Sequence, residues 1–169
     1  MGLLGYNEEK KFTYAAYQER ITIPIRDKFS NIIGFTCRTT SDRDDVAKYK
    51  NSSTSLIYKK EQSIFGIDNA VREARMKNKM YCVEGAPDAM RLQLLGINNT
   101  VATLGGEWTE HQLDVIYSYT HNIVFIPDSE PIKNGKLSPG DAYVCKAGIK
   151  ALNKGFTVAV REIPNGTDG

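Results

Sequence analysis

Two carboxylates, Glu84 and Asp88, lie four residues apart in the stretch Met80-Tyr-Cys-Val-Glu-Gly-Ala-Pro-Asp88. A short apolar run closed by glycine reads as a buried strand. Proline suits the first turn of a helix, where its missing N–H would have no intrahelical partner. Glu84 is therefore expected at the carboxyl end of a strand, and Asp88 in the first turn of the helix that follows. In open α/β sheets ligands bind at that edge. Two hard oxygen donors there can begin a divalent-cation site, and they can equally be the polar residues of an ordinary βα loop.

The elements around the pair narrow the choice. Beyond Lys79 strand and helix patterns alternate: strand Met80–Val83, helix Pro87–Leu95 closed by Gly96, and strand Thr100–Leu104. Helix Thr109–Tyr117 starts with Thr109 and Gln112 at capping-box spacing. Strand Asn122–Ile126 then runs into Pro127-Asp128-Ser129-Glu130, a helix covers roughly residues 141–152, and strand Phe156–Arg161 leads to Ile163-Pro-Asn-Gly-Thr-Asp168. Such alternation implies a mostly parallel sheet flanked by helices, with right-handed crossovers. Three strand ends then carry acids along one edge: Glu84 with Asp88, Asp128 with Glu130, and Asp168. Carboxylates gathered in one crevice repel one another unless a cation neutralises them. Mg²⁺, octahedral, oxygen-loving and often shared with substrate phosphates, is the expected ion. The chemistry such a site supports is phosphoryl or nucleotidyl transfer.

The front of the chain differs. Residues 1–18 show no clear periodicity and read as a loosely held lead-in. Ile21, Ile23 and Ile25 alternate with Thr22 and Pro24, a half-buried strand whose proline places it at a sheet edge. A turn at Asp27–Asn31 and a second strand, Ile32–Arg38, complete a hairpin. Residues 41–51 read as a charged loop, and Ile67–Lys77 as a helix with Ala70, Val71 and Ala74 on one face. The organisation is thus a small antiparallel basic module over 1–79, a hairpin plus a helix, ahead of an α/β module over 80–169. Residues 1–80 hold 15 Lys and Arg against 10 Asp and Glu, and residues 81–169 hold 7 against 10. A basic segment ahead of an acidic one fits a protein that guides a polyanion toward metal-binding carboxylates.

Composition sets the outer bounds. At 169 residues, with 41% hydrophobic and 25% charged residues, the chain is an ordinary globular sequence of one domain or two small ones. No apolar run reaches a membrane span, no signal peptide opens it, and cytoplasm is the default location. Cys37, Cys82 and Cys145 are isolated, so neither a zinc site nor a disulfide framework is expected. Cys82 and Trp108 read as packing residues, and His111 and His121 as surface residues.

The motifs Val83-Glu-Gly-x-x-Asp88, Gly96-Ile-Asn-Asn-Thr-Val-Ala-Thr-Leu-Gly105, Asp128-x-Glu130 and Ile163-Pro-x-Gly-x-Asp168 resemble the Toprim domain of bacterial primases, topoisomerases and related nucleases. Arg20-Ile-Thr-Ile-Pro-Ile-Arg-Asp27, Ile33-Gly-Phe-Thr-Cys-Arg38, Lys48-Tyr-Lys-Asn-Ser52 and Lys60 ahead of Ile64-Phe-Gly66 narrow the resemblance to the primases. It covers residues 19–168. It implies a fragment of a primase core that makes RNA primers from ribonucleoside triphosphates on single-stranded DNA, with Mg²⁺ or Mn²⁺. It also implies a helicase partner engaged through regions absent from this chain. By position it makes Glu84 the catalytic glutamate with Asp88 beside it, and Asp128, Glu130 and Asp168 metal-site acids together with Glu84. Arg38, Lys48 and Lys60 become handlers of template or nucleotide phosphates. The alternatives are a Toprim nuclease and a catalytically inactive nucleic-acid-binding module.

Three departures point to a divergent, phage- or mobile-element-like member: Glu130 in place of the second aspartate, Ser129 after Pro127 where glycine is usual, and the polar insertion Pro131–Ser138. The end at Asp168-Gly169, with no closing element, reads as an excised piece that need not prime by itself.

Overall fold

The computed structural model describes residues 3–43, 45–128 and 138–161, and it opens on a hairpin. Strands β1 (Leu4–Asn7) and β2 (Phe12–Ala15) pair antiparallel, with Leu4 opposite Ala15 and Asn7 opposite Phe12. This corrects the expectation of a loose lead-in. All four residues of β2 are exposed, so the alternation of buried and solvated positions that marks a half-buried strand is missing.

The second sheet orders β3 (Arg20–Arg26), β4 (Ile32–Thr39) and β5 (Tyr49–Asn51) side by side, all antiparallel. β3 is an edge strand, as Pro24 requires. The turn between β3 and β4 is tied by Asp27, whose Oδ1 accepts the backbone N–H groups of Phe29 and Asn31 at 2.8 and 2.9 Å. β5 is a second correction: Tyr49–Asn51 forms a strand, not the end of a charged loop.

The remainder alternates as expected: α1 (Ile67–Lys77), β6 (Met80–Val83), α2 (Ala86–Leu94), β7 (Thr100–Ala102), α3 (Glu110–Tyr117), β8 (Asn122–Phe125), α4 (Pro139–Asn153) and β9 (Thr157–Val160). The four strands β6–β9 form one parallel sheet in the order β7-β6-β8-β9. The chain steps from β6 outward to β7, then crosses back to place β8 on the other side of β6. The gap between the carboxyl ends of β6 and β8 is therefore the switch point of the sheet, where ligands bind in such folds. The capping box of α3 is present, with Thr109 Oγ1 accepting from Gln112 N. α4 has one of its own, Ser138 with Asp141, which starts that helix before the expected Asp141.

Period-two alternation along the strands divides the interior. Met80, Cys82, Val101, Ile123 and Phe125 face α1, α3 and α4, and the fully buried Trp108 packs edge-on to Phe125 in that layer. Val83 and Ala102 face the other way, onto Ala86 and Ala89 of α2 and onto Ile25, Tyr58 and Phe65. The basic sheet thus shares a core with α2 and rests against the α/β unit. Phe65 and Ala102 exchange backbone hydrogen bonds of 2.9 and 3.1 Å, closing the β7 edge. No helix among the described residues is long and apolar enough to cross a membrane.

Candidate active site

Glu84 follows β6 directly and is half-buried, with its Oε1 beneath the protein surface. Asp88 occupies the first turn of α2, as Pro87 at its N-terminus predicts. Gly85 between them lets the Asp88 carboxylate lie close to the backbone: a Cβ there would stand 2.5 Å from Asp88 Oδ2 and would displace that side chain. Asp128 lies just past β8 and is exposed. The two acidic tips therefore flank the switch point. Glu130 and Asp168 fall outside the described residues.

Electrostatics couple Asp88 to Asp128, and Tyr143 to Glu84 and Asp128. Burial, and then the charge of Asp128, push the Asp88 carboxyl above its ordinary value, while the backbone amides of Asp88 and Gly85 pull it partly back. The Tyr143 phenol of α4 is held above its usual range, first by burial and then by the negative charge of Glu84 and Asp128 among its neighbours. Among the described residues no three His, Cys, Asp or Glu side chains are grouped closely enough to hold a metal. Among the described residues the candidate donors after β6 and β8 are the carboxylates of Glu84, Asp88 and Asp128, which suit a hard divalent cation.

A cavity of about 110 Å³ opens beside Glu84. One wall is the basic sheet, through Thr36 and Tyr49; the other is Glu84–Pro87 with Thr103–Gly105. Asn51 of β5 fastens the walls together, its Nδ2 donating to Leu104 O at 2.8 Å. The three basic residues singled out in the sequence lie on this side to different degrees. The Lys60 ammonium is 3.8 Å from where a Cβ on Gly105 would sit, at the rim of the cavity. Arg38 lies over the Tyr49 ring at 5.8 Å. Lys48 is exposed next to β5, with its carbonyl bonded to Thr39 N at 2.9 Å.

Sequence reasoning overlooked Thr103, Tyr143, Asn51 and Tyr49. Thr103 is 2% exposed, and its Oγ1 lies 3.1 Å from Glu84 O, 3.1 Å from Gly106 O and 3.3 Å from Tyr143 Oη. Its place just beyond a parallel strand is the same signal that picked out Glu84. Tyr143, Asn51 and Tyr49 carry no such signal, because their partners are distant in sequence.

A parallel sheet with acids at both sides of its switch point, backed by a basic antiparallel sheet, has close counterparts. The Toprim-like family model matches residues 81–169, and the model described as DNA primase catalytic core, N-terminal domain, matches residues 1–71. The DNA primase of Staphylococcus aureus strain COL is 28% identical over 167 residues, 99% of this chain and 26% of the relative. The solved zinc-binding and RNA polymerase domains of the Aquifex aeolicus primase superpose with a TM-score of 0.87 at 28% identity, over 98% of this chain and 39% of that one. A primase catalytic domain solved bound to single-stranded DNA gives 0.81 at 28%, over 99% of this chain and 52% of that one. The chain belongs to the bacterial DNA primase catalytic core family, with a Toprim-like domain as its second half. It spans about a quarter of the length of the curated relative. Primases of this type generally work with a divalent metal.

Proposed function

We propose that this chain is part of the catalytic core of a DNA primase, and that its crevice joins ribonucleotides into short RNA primers on single-stranded DNA. The observation that carries this reading is the pairing of the crevice walls. Thr36 and Tyr49 of the basic sheet stand across the cavity from Glu84, and the Lys60 ammonium lies 3.8 Å from where a Cβ on Gly105, a residue of the same lining, would sit. A polyanion entering there meets cations on one side and, on the other, the acids that work on its phosphates. The relative bound to single-stranded DNA supports the same direction. The boundary between the two units is placed near residue 79.

In this reading Glu84, Asp128, Glu130 and Asp168 hold Mg²⁺, with Mn²⁺ as substitute. When bound, the ion neutralises the repelling carboxylates and offsets charge on the phosphoryl oxygens. Glu84, at the strand tip and partly shielded from water, takes the proton of the attacking 3′-hydroxyl. Asp88 supplies a second carboxylate in the α2 first turn and orients the Gly85 loop. Arg38, Lys48 and Lys60 bind template or nucleotide phosphates as point charges or, for Arg38, as a fork. A replicative helicase engages other regions of the primase, and the protein works in the cytoplasm.

The test is Glu84→Gln in the full-length protein, a change that keeps size and removes the charge. Primer synthesis should fall by roughly 10²–10⁴-fold, the range expected for losing a general base, with single-stranded DNA affinity retained. Unchanged synthesis would remove Glu84 from the reaction. Cleavage of DNA without primer synthesis by the unaltered protein would favour a Toprim nuclease.

A further inference from the structure

We infer that Tyr143 and Thr103 form a clasp that sets the spacing between the two acidic strand tips, making Tyr143 a positioning residue for the reaction proposed above. The inference rests on the reading of Glu84 and Asp128 as the acidic centre.

Helix α4 packs directly on the β8 tip and reaches the Glu84 carbonyl through Thr103. Its second residue, Gly140, is pressed onto the loop after β8: a Cβ there would stand 2.7 Å from Asp128 O and 3.3 Å from Pro127 Cβ. The Ser138–Asp141 capping box fixes where that first turn begins. Tyr143 comes three residues after Gly140 and so projects from the same face of the helix. Its ring packs against the core beneath the sheet, and its hydroxyl reaches Thr103 Oγ1 at 3.3 Å.

The direction of the hydrogen bonds follows from what each group can do. The carbonyls of Glu84 and Gly106, both 3.1 Å from Thr103 Oγ1, can only accept. The single Thr103 proton therefore goes to one of them, and its lone pairs face the Tyr143 hydroxyl, which donates. Burial and the nearby acids keep that phenol protonated, so the proton to be donated is present. One end of the clasp thus bears on Thr103, whose hydroxyl lies 3.1 Å from both the Glu84 and the Gly106 carbonyls, and the other is the α4 first turn, packed against the Asp128 carbonyl. Glu84 lies one residue beyond β6 and Asp128 three beyond β8, and small errors in carboxylate placement are costly in such sites.

The experiment compares Tyr143→Phe, Thr103→Val, Thr103→Ser and Glu84→Gln in the full-length protein. Primer synthesis, Mn²⁺ affinity by electron paramagnetic resonance, single-stranded DNA binding and thermal unfolding are read for each. Tyr143→Phe keeps the ring and loses the hydroxyl. It should lower kcat and weaken Mn²⁺ binding, each by about tenfold, the scale of losing an outer hydrogen bond to a metal-site group. KM for ribonucleotides, DNA affinity and melting temperature should hold. Thr103→Val should act alike, Thr103→Ser should match the unaltered protein, and the Tyr143→Phe/Thr103→Val double variant should fall no further than either single change. A Tyr143→Phe protein with full kcat and Mn²⁺ affinity, alongside an inactive Glu84→Gln, would overturn the clasp while leaving the acidic centre standing. Loss that follows the melting temperature, or that Thr103→Ser fails to restore, would overturn it as well. An active Glu84→Gln would instead remove the centre on which it rests.

Discussion

Asp88 shows most directly what the site costs the fold. Its carboxyl is raised by burial and by Asp128, so folding favours the protonated form. Stability from this group is complete below the ordinary carboxylate pKa and is lost as the pH rises through the raised folded value. At neutral pH Asp88 is thus a destabilising residue held at a functional position, the usual trade between activity and stability. Asp88→Asn in metal-free buffer should melt at a higher temperature than the unaltered protein at pH 7, with the gap narrowing as the pH falls through the carboxylate range. A lower melting temperature across that range would contradict the burial and repulsion argued here. Glu84 and Asp88 were legible from their own stretch, because Gly85 and Pro87 mark strand end and helix start in adjacent residues. Tyr143 was not, since its hydroxyl partner Thr103 lies 40 residues away and nothing local sets it apart from an ordinary core aromatic.

Elements with a local cause were readable, and those with a distant cause were not. The Thr109–Gln112 capping box fixed α3, and Gly96, at φ 86°, follows α2 as the expected terminator. β2 and β5 were missed for one reason: both are exposed or nearly so and owe their strand conformation to pairing with a partner. The start of α4 was placed late because Pro139-Gly140 reads as a turn, whereas proline at N1 is compatible with a helix. Gly140 makes that start testable. Alanine is the better helix former by about 1 kcal/mol, so propensity alone predicts that Gly140→Ala stabilises. Overpacking against the Asp128 backbone costs about 1–3 kcal/mol, and a rigid carbonyl 2.7 Å away cannot yield as a flexible side chain would. Gly140→Ala should therefore lower the unfolding free energy in denaturant titration; a gain would show that α4 is not pressed onto the β8 tip.

At the scale of the whole molecule, the charge asymmetry between the two halves is put to use by packing. The basic sheet and α2 share one apolar layer, and Asn51 bonds across to Leu104, so Thr36 and Tyr49 of the basic sheet face Glu84 across a cavity of about 110 Å³. The α/β order and the parallel sheet were readable from periodicity, whereas this apposition was not, because it depends on Ile25, Tyr58 and Phe65 meeting Val83 and Ala89 from far along the chain. The central claim is that a divalent metal works in this crevice, between Glu84 and Asp128. Replacing Mg²⁺ with Fe²⁺ and adding ascorbate and peroxide generates hydroxyl radicals at the bound ion, which cut the nearest backbone. Cuts should map to residues 84–88, 103–106 and the vicinity of Asp128, and should disappear in Glu84→Gln. Metal-dependent cuts confined to other parts of the chain, or unchanged in Glu84→Gln, would contradict the account.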